Sequence, residues 1–388
     1  MQEIYELRTR LKTCPFSEDL IFKVVGENAN IVKELYKEFA SLHCPRVKRV
    51  LFKETNELKE RILRLESSEA VAILLKFREF TKSILCTNFY MPFKQGFAFR
   101  IRGSTLPSSD FPSTPCPIFF QIGGLAVGLH IRFAEVSRGG VRLVFSVGTA
   151  AHETNRRSLL DEAYKLAFTQ QFKNKDISEG GSKGIILLNK TQTLAEAKRQ
   201  APLAFKAYID NMLDLLLPHH DVDDGLGISE VWFLGPDENT GTGGLLDWAA
   251  QRAKERGSVW WKAFTTGKLI QHGGIPHDRF GMTTASVEAY VKGIYNKLGL
   301  KEEEMTRIQT GGPDGDLGCN ALLQTKSKTI AVVDGSGVLY DPNGLDVGEL
   351  HRLCSLRFEG KPTNAMLYDS SLLSPLGFKV DQEARDIT

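Results

Sequence analysis

The segment Asp176-Ile177-Ser178-Glu179-Gly180-Gly181-Ser182-Lys183-Gly184 holds a lysine among glycines just before a compact apolar run. Glycine allows backbone or ligand to approach closely, so the Lys183 amine can be tightly enclosed there. The segment is not a phosphate-binding P-loop, which needs Gly-Lys-Ser/Thr opening a helix. Taken alone it also fits a surface turn with a solvated lysine. Arg138-Gly139-Gly140-Val141-Arg142 sets two cations beside a glycine pair, and Gln170 and Lys173 close the preceding helical stretch. Converging on Lys183, these groups would suit a substrate with two carboxylates, because arginine pairs bidentately with a carboxylate. Dispersed, they would be a solvated basic turn.

Other conspicuous groups read as scaffold. His219-His220-Asp221, with Asp223 and Asp224, could be taken for metal ligands, but a solvated loop between helix and strand accounts for them, and no metal is expected. Trp248, Trp260 and Trp261 read as packing residues. Glu302-Glu303-Glu304 reads as a solvated face.

The elements that must position these residues follow from periodicity. Thr55 to Thr87 has helical apolar spacing with a break near Ser67-Ser68, and residues 1–115 read as a mostly helical region. Pro107, Pro112, Pro115 and Pro117 cannot continue a helix or a central strand, which places a boundary there. Beyond it, Ile118 to Ile122, Ala126 to Phe133 and Val141 to Phe145 read as strands, followed by a helix over Ser158 to Lys173. Gly184 to Leu188 is a buried strand, Leu194 to Leu217 a long helix containing Pro202, and Val231 to Leu234 another buried strand. Strands alternating with helices indicate an α/β sheet, with ligands at the C-terminal strand ends, where Asp237 falls. A further unit starts near Gly241: strand Thr306 to Gln309, helix from Asp316 to Leu323, and strand Thr329 to Val333 ending at Asp334.

Composition narrows the class. The 388 residues carry 49 Lys+Arg against 47 Asp+Glu, a formal net charge of +2, which gives no electrostatic reason for a nucleic-acid or membrane partner. The most apolar stretch, Ile122 to Leu129, is far short of the ~20 residues that span a bilayer. Six scattered cysteines without a Cys-x-x-Cys pair read as reduced thiols of an intracellular enzyme. The protein is expected to be soluble, and mitochondrial ahead of cytosolic.

The order of Arg138-Gly139-Gly140-Val141-Arg142, Leu166 to Lys173 and Gly180 to Gly184 resembles the glutamate/leucine/phenylalanine dehydrogenases. Phe233 to Thr240, Gly273 to Thr283 and Gln309 to Gly318 are similar to the large-subunit, NAD-specific glutamate dehydrogenases, over roughly residues 88 to 345. The resemblance implies a substrate-binding α/β domain (116–240), an incomplete Rossmann-type dinucleotide-binding domain (241–388) and a helical N-terminal region (1–115). It implies oxidative deamination of L-glutamate to 2-oxoglutarate and ammonium, with NAD as cofactor and a homo-oligomeric assembly. Lys183 matches the family's catalytic lysine and Asp237 its catalytic aspartate; Gln170 and Lys173 match holders of the α-carboxylate. Arg138 stands where smaller members have the lysine that reads the side-chain carboxylate. The turn between Lys173 and Lys183 is two residues shorter than in the small enzymes.

For the cofactor, Gly315-Asp316-Leu317-Gly318 follows a strand and opens a helix, where backbone N–H groups receive a pyrophosphate. Pro313 replaces the first glycine of Gly-x-Gly-x-x-Gly, with Gly311-Gly312 just before it. Asp334 is the expected acid for the ribose hydroxyls and would repel the 2′-phosphate of NADP. Thr283 matches a position near the nicotinamide ribose. With two strands and one crossover before Asp334, the nucleotide unit reads as cut short, so the chain reads as a fragment. The other reading is a non-catalytic remnant, or a regulatory or binding subunit of the same fold.

Overall fold

The apolar runs pair into two separate sheets. The structure, a computed structural model, describes residues 16–46, 56–173, 175, 177–222, 230–241 and 244–382, and divides into the units Met1–Gly274 and Ile275–Thr388. The first unit begins with helices α1 (Glu18–Glu27), α2 (Ala29–His43), α3 (Glu57–Leu63) and α4 (Ser68–Ser83). Ser17 and Ser67 cap α1 and α4 by accepting from Leu20 N and Ala70 N. These helices bury their own cluster of Val24, Ile31, Leu35, Ile62, Ile73 and Leu74. A bidentate Arg78–Glu38 pair is buried beside it.

There follow β1 (Ile84–Thr87), β2 (Gly96–Ile101), β3 (Ile118–Gly123), β4 (Ala126–Arg132), β5 (Val136–Val144), α5 (Thr149–Gln170), β6 (Gly180–Leu188), α6 (Leu194–Leu216), β7 (Val231–Pro236), α7 (Leu245–Glu255) and α8 (Trp261–Phe264). The strands form one seven-stranded sheet in the order β1-β2-β3-β4-β6-β5-β7. The first four strands and the β4–β6 pair run antiparallel, while β5 pairs in parallel with both β6 and β7. Phe205, Tyr208, Ile209 and Met212 of α6 close one face, and Ala163, Tyr164 and Ala167 of α5 close the other.

Two boundaries differ from the sequence reading. Residues 1–115 are not only helical, since β1 and β2 belong to the sheet and β2 pairs along its whole length with β3. The proline-rich run therefore crosses from β2 to β3 inside one domain. Residues 241–274 also belong to the first unit, because Leu245, Leu246, Ala249 and Ala253 of α7 bury into the core shared with α6 and β7. The helical stretch breaks before Ser68 as anticipated, giving α3 and α4, but it ends at Ser83, and Ile84–Thr87 is a strand.

The second unit contains α9 (Met282–Leu298), β8 (Thr306–Thr310), α10 (Asp316–Gln324), β9 (Lys328–Asp334), β10 (Gly337–Tyr340), α11 (Val347–Phe358) and β11 (Phe378–Asp381). Its sheet order is β11-β10-β9-β8, with β8 and β9 parallel across the α10 crossover and the remaining pairs antiparallel. The β-α-β half of a dinucleotide fold is thus present, followed by a hairpin where a further parallel strand would come. Cys319, Leu322, Val332, Leu339, Leu353 and Cys354 make its core. Among the described residues no helix is long and apolar enough to cross a membrane.

The closest approach in the first sheet is between β5 and β6, where a Cβ on Gly139 would lie 1.6 Å from the Ser182 carbonyl oxygen. No side chain can yield there, since the obstacle is backbone. Gly139→Ala is expected to destabilise the protein by ~3 kcal/mol or more. Urea unfolding checks this, and an unchanged midpoint would contradict the packing described.

Candidate active site

Side chains alternate between the faces of a strand. On the central strands this sends Arg138, Gly140 and Arg142 of β5, Gly181 and Lys183 of β6, and Phe233 and then Asp237 beyond β7 to one face. That face carries α5, whose Ala167 carbonyl would stand 2.0 Å from a Cβ on Gly181. Gly181 therefore lets the end of the helix descend onto the sheet, bringing Gln170 and Lys173 with it.

Lys183 and Asp237 lie on strands separated by β5, about 10 Å apart at normal strand spacing. The register places Gly140 between them, since its neighbour Val141 pairs with both Gly184 and Pro236. With no side chain on Gly140, Lys183 crosses over β5 and donates to Asp237 Oδ2. A Cβ on Gly140 would sit 2.8 Å from that oxygen. Asp237 is fixed from behind: its N–H donates to Thr240 Oγ1 at 2.9 Å, and the Thr240 hydroxyl donates to the Val141 carbonyl at 2.7 Å. Oδ1 accepts from Glu238 N at 2.7 Å, leaving Oδ2 to the lysine.

Lys183 is 9% exposed. Burial, then the Arg142 guanidinium, pushes its amine down to about 8, against the opposing pull of Glu162. Arg142 itself bridges Glu162 and Glu238. Beside it opens a cavity of about 520 Å³ lined by Arg142, Asn155, Glu162, Lys198, Glu238 and Asn239. Arg138 lies 5.5 Å over the Phe233 ring and 2.6 Å from Glu179. Gln170 is half-buried at the last position of α5, and Lys173 is exposed with no carboxylate partner among the described residues. The five residues singled out in the first unit thus share one face.

In the second unit the glycine-rich turn leads into α10, which has Gly315 at its N-cap and no side-chain cap. A Cβ on Gly318 would meet the Gly312 and Gly311 carbonyls at 2.3 and 2.5 Å, so this glycine lets the helix pack onto the turn. Leu317 is exposed. Gly312 lies against Asp334, whose Oδ2 would be 2.1 Å from a Cβ there. Asp334 already accepts from Ser336 N and Oγ through Oδ1 and from Ala365 N through Oδ2. Thr283 is exposed at the start of α9, whereas the adjacent Thr284 is buried and donates to the Leu317 carbonyl at 3.2 Å.

Sequence reasoning passed over Thr284, Asp278, Asn320 and Arg357. Arg357 grips Asp278, and Asn320 bridges Asp278 and Asp316. Burial and the Asp278 carboxyl raise the Asp316 pKa, while Arg357 holds that of Asp278 down. The aspartates at positions 278 and 316 were the one visible signal. His219, His220 and Asp221 do approach one another, with Asp221 also paired to Arg46.

Residues 273–363 match the family described as Glutamate/Leucine/Phenylalanine/Valine dehydrogenase. Nearly the whole chain is similar to glutamate dehydrogenases. Over 98% of its length it is 43% identical to glutamate dehydrogenase 2 of Dictyostelium discoideum, of which it covers 36%. Over 99% it is 43% identical to the NAD-specific glutamate dehydrogenase of Neurospora crassa, of which it covers 37%. The chain therefore spans little more than a third of the length of these curated relatives. A solved glutamate dehydrogenase from Plasmodium falciparum, 16% identical, superposes with a TM-score of 0.46 over 96% of this chain and 67% of its own.

Lowering of the Lys183 amine makes a direct prediction. Its acylation should reach half its limiting rate near pH 8, while exposed lysines do so above pH ~10. Peptide mass spectrometry across a pH series checks this, and a Lys183 midpoint matching the exposed lysines would refute the enclosure.

Proposed function

We propose that this chain contributes the catalytic face of an NAD-dependent oxidative deamination of L-glutamate, releasing 2-oxoglutarate and ammonium. The observation that carries the reading is the enclosed Lys183 amine held against Asp237 across Gly140. At pH 7 an amine that titrates near 8 is neutral about one time in ten, against roughly one in three thousand for an ordinary lysine. Lys183 then serves as the base that activates water for attack on the substrate Cα. Asp237 exchanges a proton with the substrate nitrogen as it leaves. Lys173 and Gln170 hold the α-carboxylate and Arg138 the distal one, which fixes the α-hydrogen in one direction.

The second unit fits a dinucleotide. NAD, when bound, supplies the acceptor for the hydride leaving Cα. The uncapped N-terminus of α10 offers the backbone N–H groups of Asp316, Leu317 and Gly318 to a pyrophosphate, next to the Gly315 turn. A carboxylate at Asp316 would oppose that anion; burial and the Asp278 carboxyl raise its pKa. Asp334 has one acceptor site left, on Oδ2, for a ribose hydroxyl, and its charge disfavours a 2′-phosphate. Thr283, exposed at the head of α9, is assigned to the nicotinamide ribose.

NADH formation from L-glutamate tests the reading. Lys183→Ala is expected to cost ~10³-fold or more in kcat. In the parent protein, kcat/KM should rise with pH through about 8, because the working form of Lys183 is the unprotonated one. L-Leucine, which offers Arg138 no second carboxylate, should be poorer by ~10³-fold. Equal rates with leucine, or a Lys183→Ala protein of normal turnover, would remove the assignment.

A further inference from the structure

Arg138 is not a bare cation awaiting a carboxylate. Its Nε lies 2.6 Å from Glu179 Oε1, and the Glu179 side chain is only 6% exposed against 39% for Arg138. Lys175 Nζ stands 3.7 Å from the same Glu179 oxygen, is equally shielded, and donates to the Gly180 carbonyl at 3.4 Å. Phe233 lies against the guanidinium. Glu179 thus meets Arg138 at Nε, with the carboxylate shielded and the arginine side chain still partly open to solvent. Glu179 Oε1 has no aligned hydrogen bond, so what holds it is charge and burial.

The charges count to a definite remainder. Two cations and one carboxylate leave one positive charge, which matches a single incoming carboxylate. Without Glu179 the pair would carry two charges and attract small anions with little discrimination. An unpaired arginine would also have to give up its rotamer freedom on binding, whereas one held by Glu179 and Phe233 has already done so.

We propose that Glu179 is a positioning residue for Arg138, and that Arg138, Glu179 and Lys175 together form a receptor of net charge +1 for one distal carboxylate of the substrate. This rests on the dicarboxylate reading above.

Calorimetric binding of 2-oxoglutarate and of 2-oxopentanoate, which lacks the distal carboxylate, separates the cases in the full-length protein. Glu179→Gln is expected to weaken 2-oxoglutarate about tenfold or more and to leave 2-oxopentanoate within about twofold. Equal weakening of both ligands would mean a merely structural role, and tighter 2-oxoglutarate would mean that Glu179 competes with substrate; either result overturns the proposal. If Glu179→Gln does not fold, Lys175→Met carries the test, with the same selective loss expected and an unselective one fatal. Wild-type protein that does not prefer 2-oxoglutarate over 2-oxopentanoate would instead sink the substrate assignment itself, a result distinct from any variant's behaviour.

Discussion

The crossing of Lys183 over β5 to reach Asp237 is the contact on which the rest of the site depends. It requires β6, β5 and β7 in that order, all parallel, and a residue without a side chain on the middle strand. Parallel neighbours need crossover connections, and α5 and α6 supply the one from β5 to β6 and the long return toward β7. The same helices close the two faces of the sheet, so the enclosure that lowers the Lys183 pKa comes from the packing that makes the domain stable. Glycine at positions 139, 140 and 181 follows from three different approaches: strand to strand, carboxylate to strand, and helix to strand.

Charge in this face is matched almost group by group. Arg142 has Glu162 and Glu238, Arg138 and Lys175 share Glu179, and Lys183 has Asp237. Lys173 is the cation on this face without such a partner among the described residues, and it is exposed on the short turn after α5. A ligand on this face would add to or exchange these pairs, not fill a bare positive hole. With the charges already paired within the chain, any selectivity here would rest on the small imbalances left over. With a net charge of only +2 over 388 residues, those imbalances are local and not a field of the whole molecule.

The sequence exposed the reactive groups better than the architecture around them. Lys183, Asp237 and the glycine runs stand in short motifs that the family resemblance singles out, although the approaches that require those glycines come from segments distant in sequence. The assignment of β1, β2 and α7 to the first domain was not legible, because it rests on pairings such as Gly96 with Gly123 and on burial of Leu245 against distant segments. Prolines between β2 and β3 looked like a boundary because a loop inside a domain and a linker between domains have the same composition. Partners of the cations were hidden for a related reason. Nothing near Arg142 in sequence announces Glu162 or Glu238, since strand register and helix descent bring them together.

The glycine-rich turn before α10 sets an acidic residue where an anion is proposed to bind. A helix N-terminus carries a partial positive charge, and an aspartate at its first position would normally cancel it. Asp316 sits there, but its neighbour Asp278 is already committed to Arg357, which grips it through both oxygens. Of two close carboxyls, the one with the arginine stays ionised and the other is pushed toward its protonated form. Burial and the Asp278 carboxyl act on Asp316 in that direction, and Asn320 ties both side chains to the helix. Arg357 of α11 holds the Asp278 carboxyl down and acts on Asp316 itself in the opposite sense to burial and Asp278, toward the charged form.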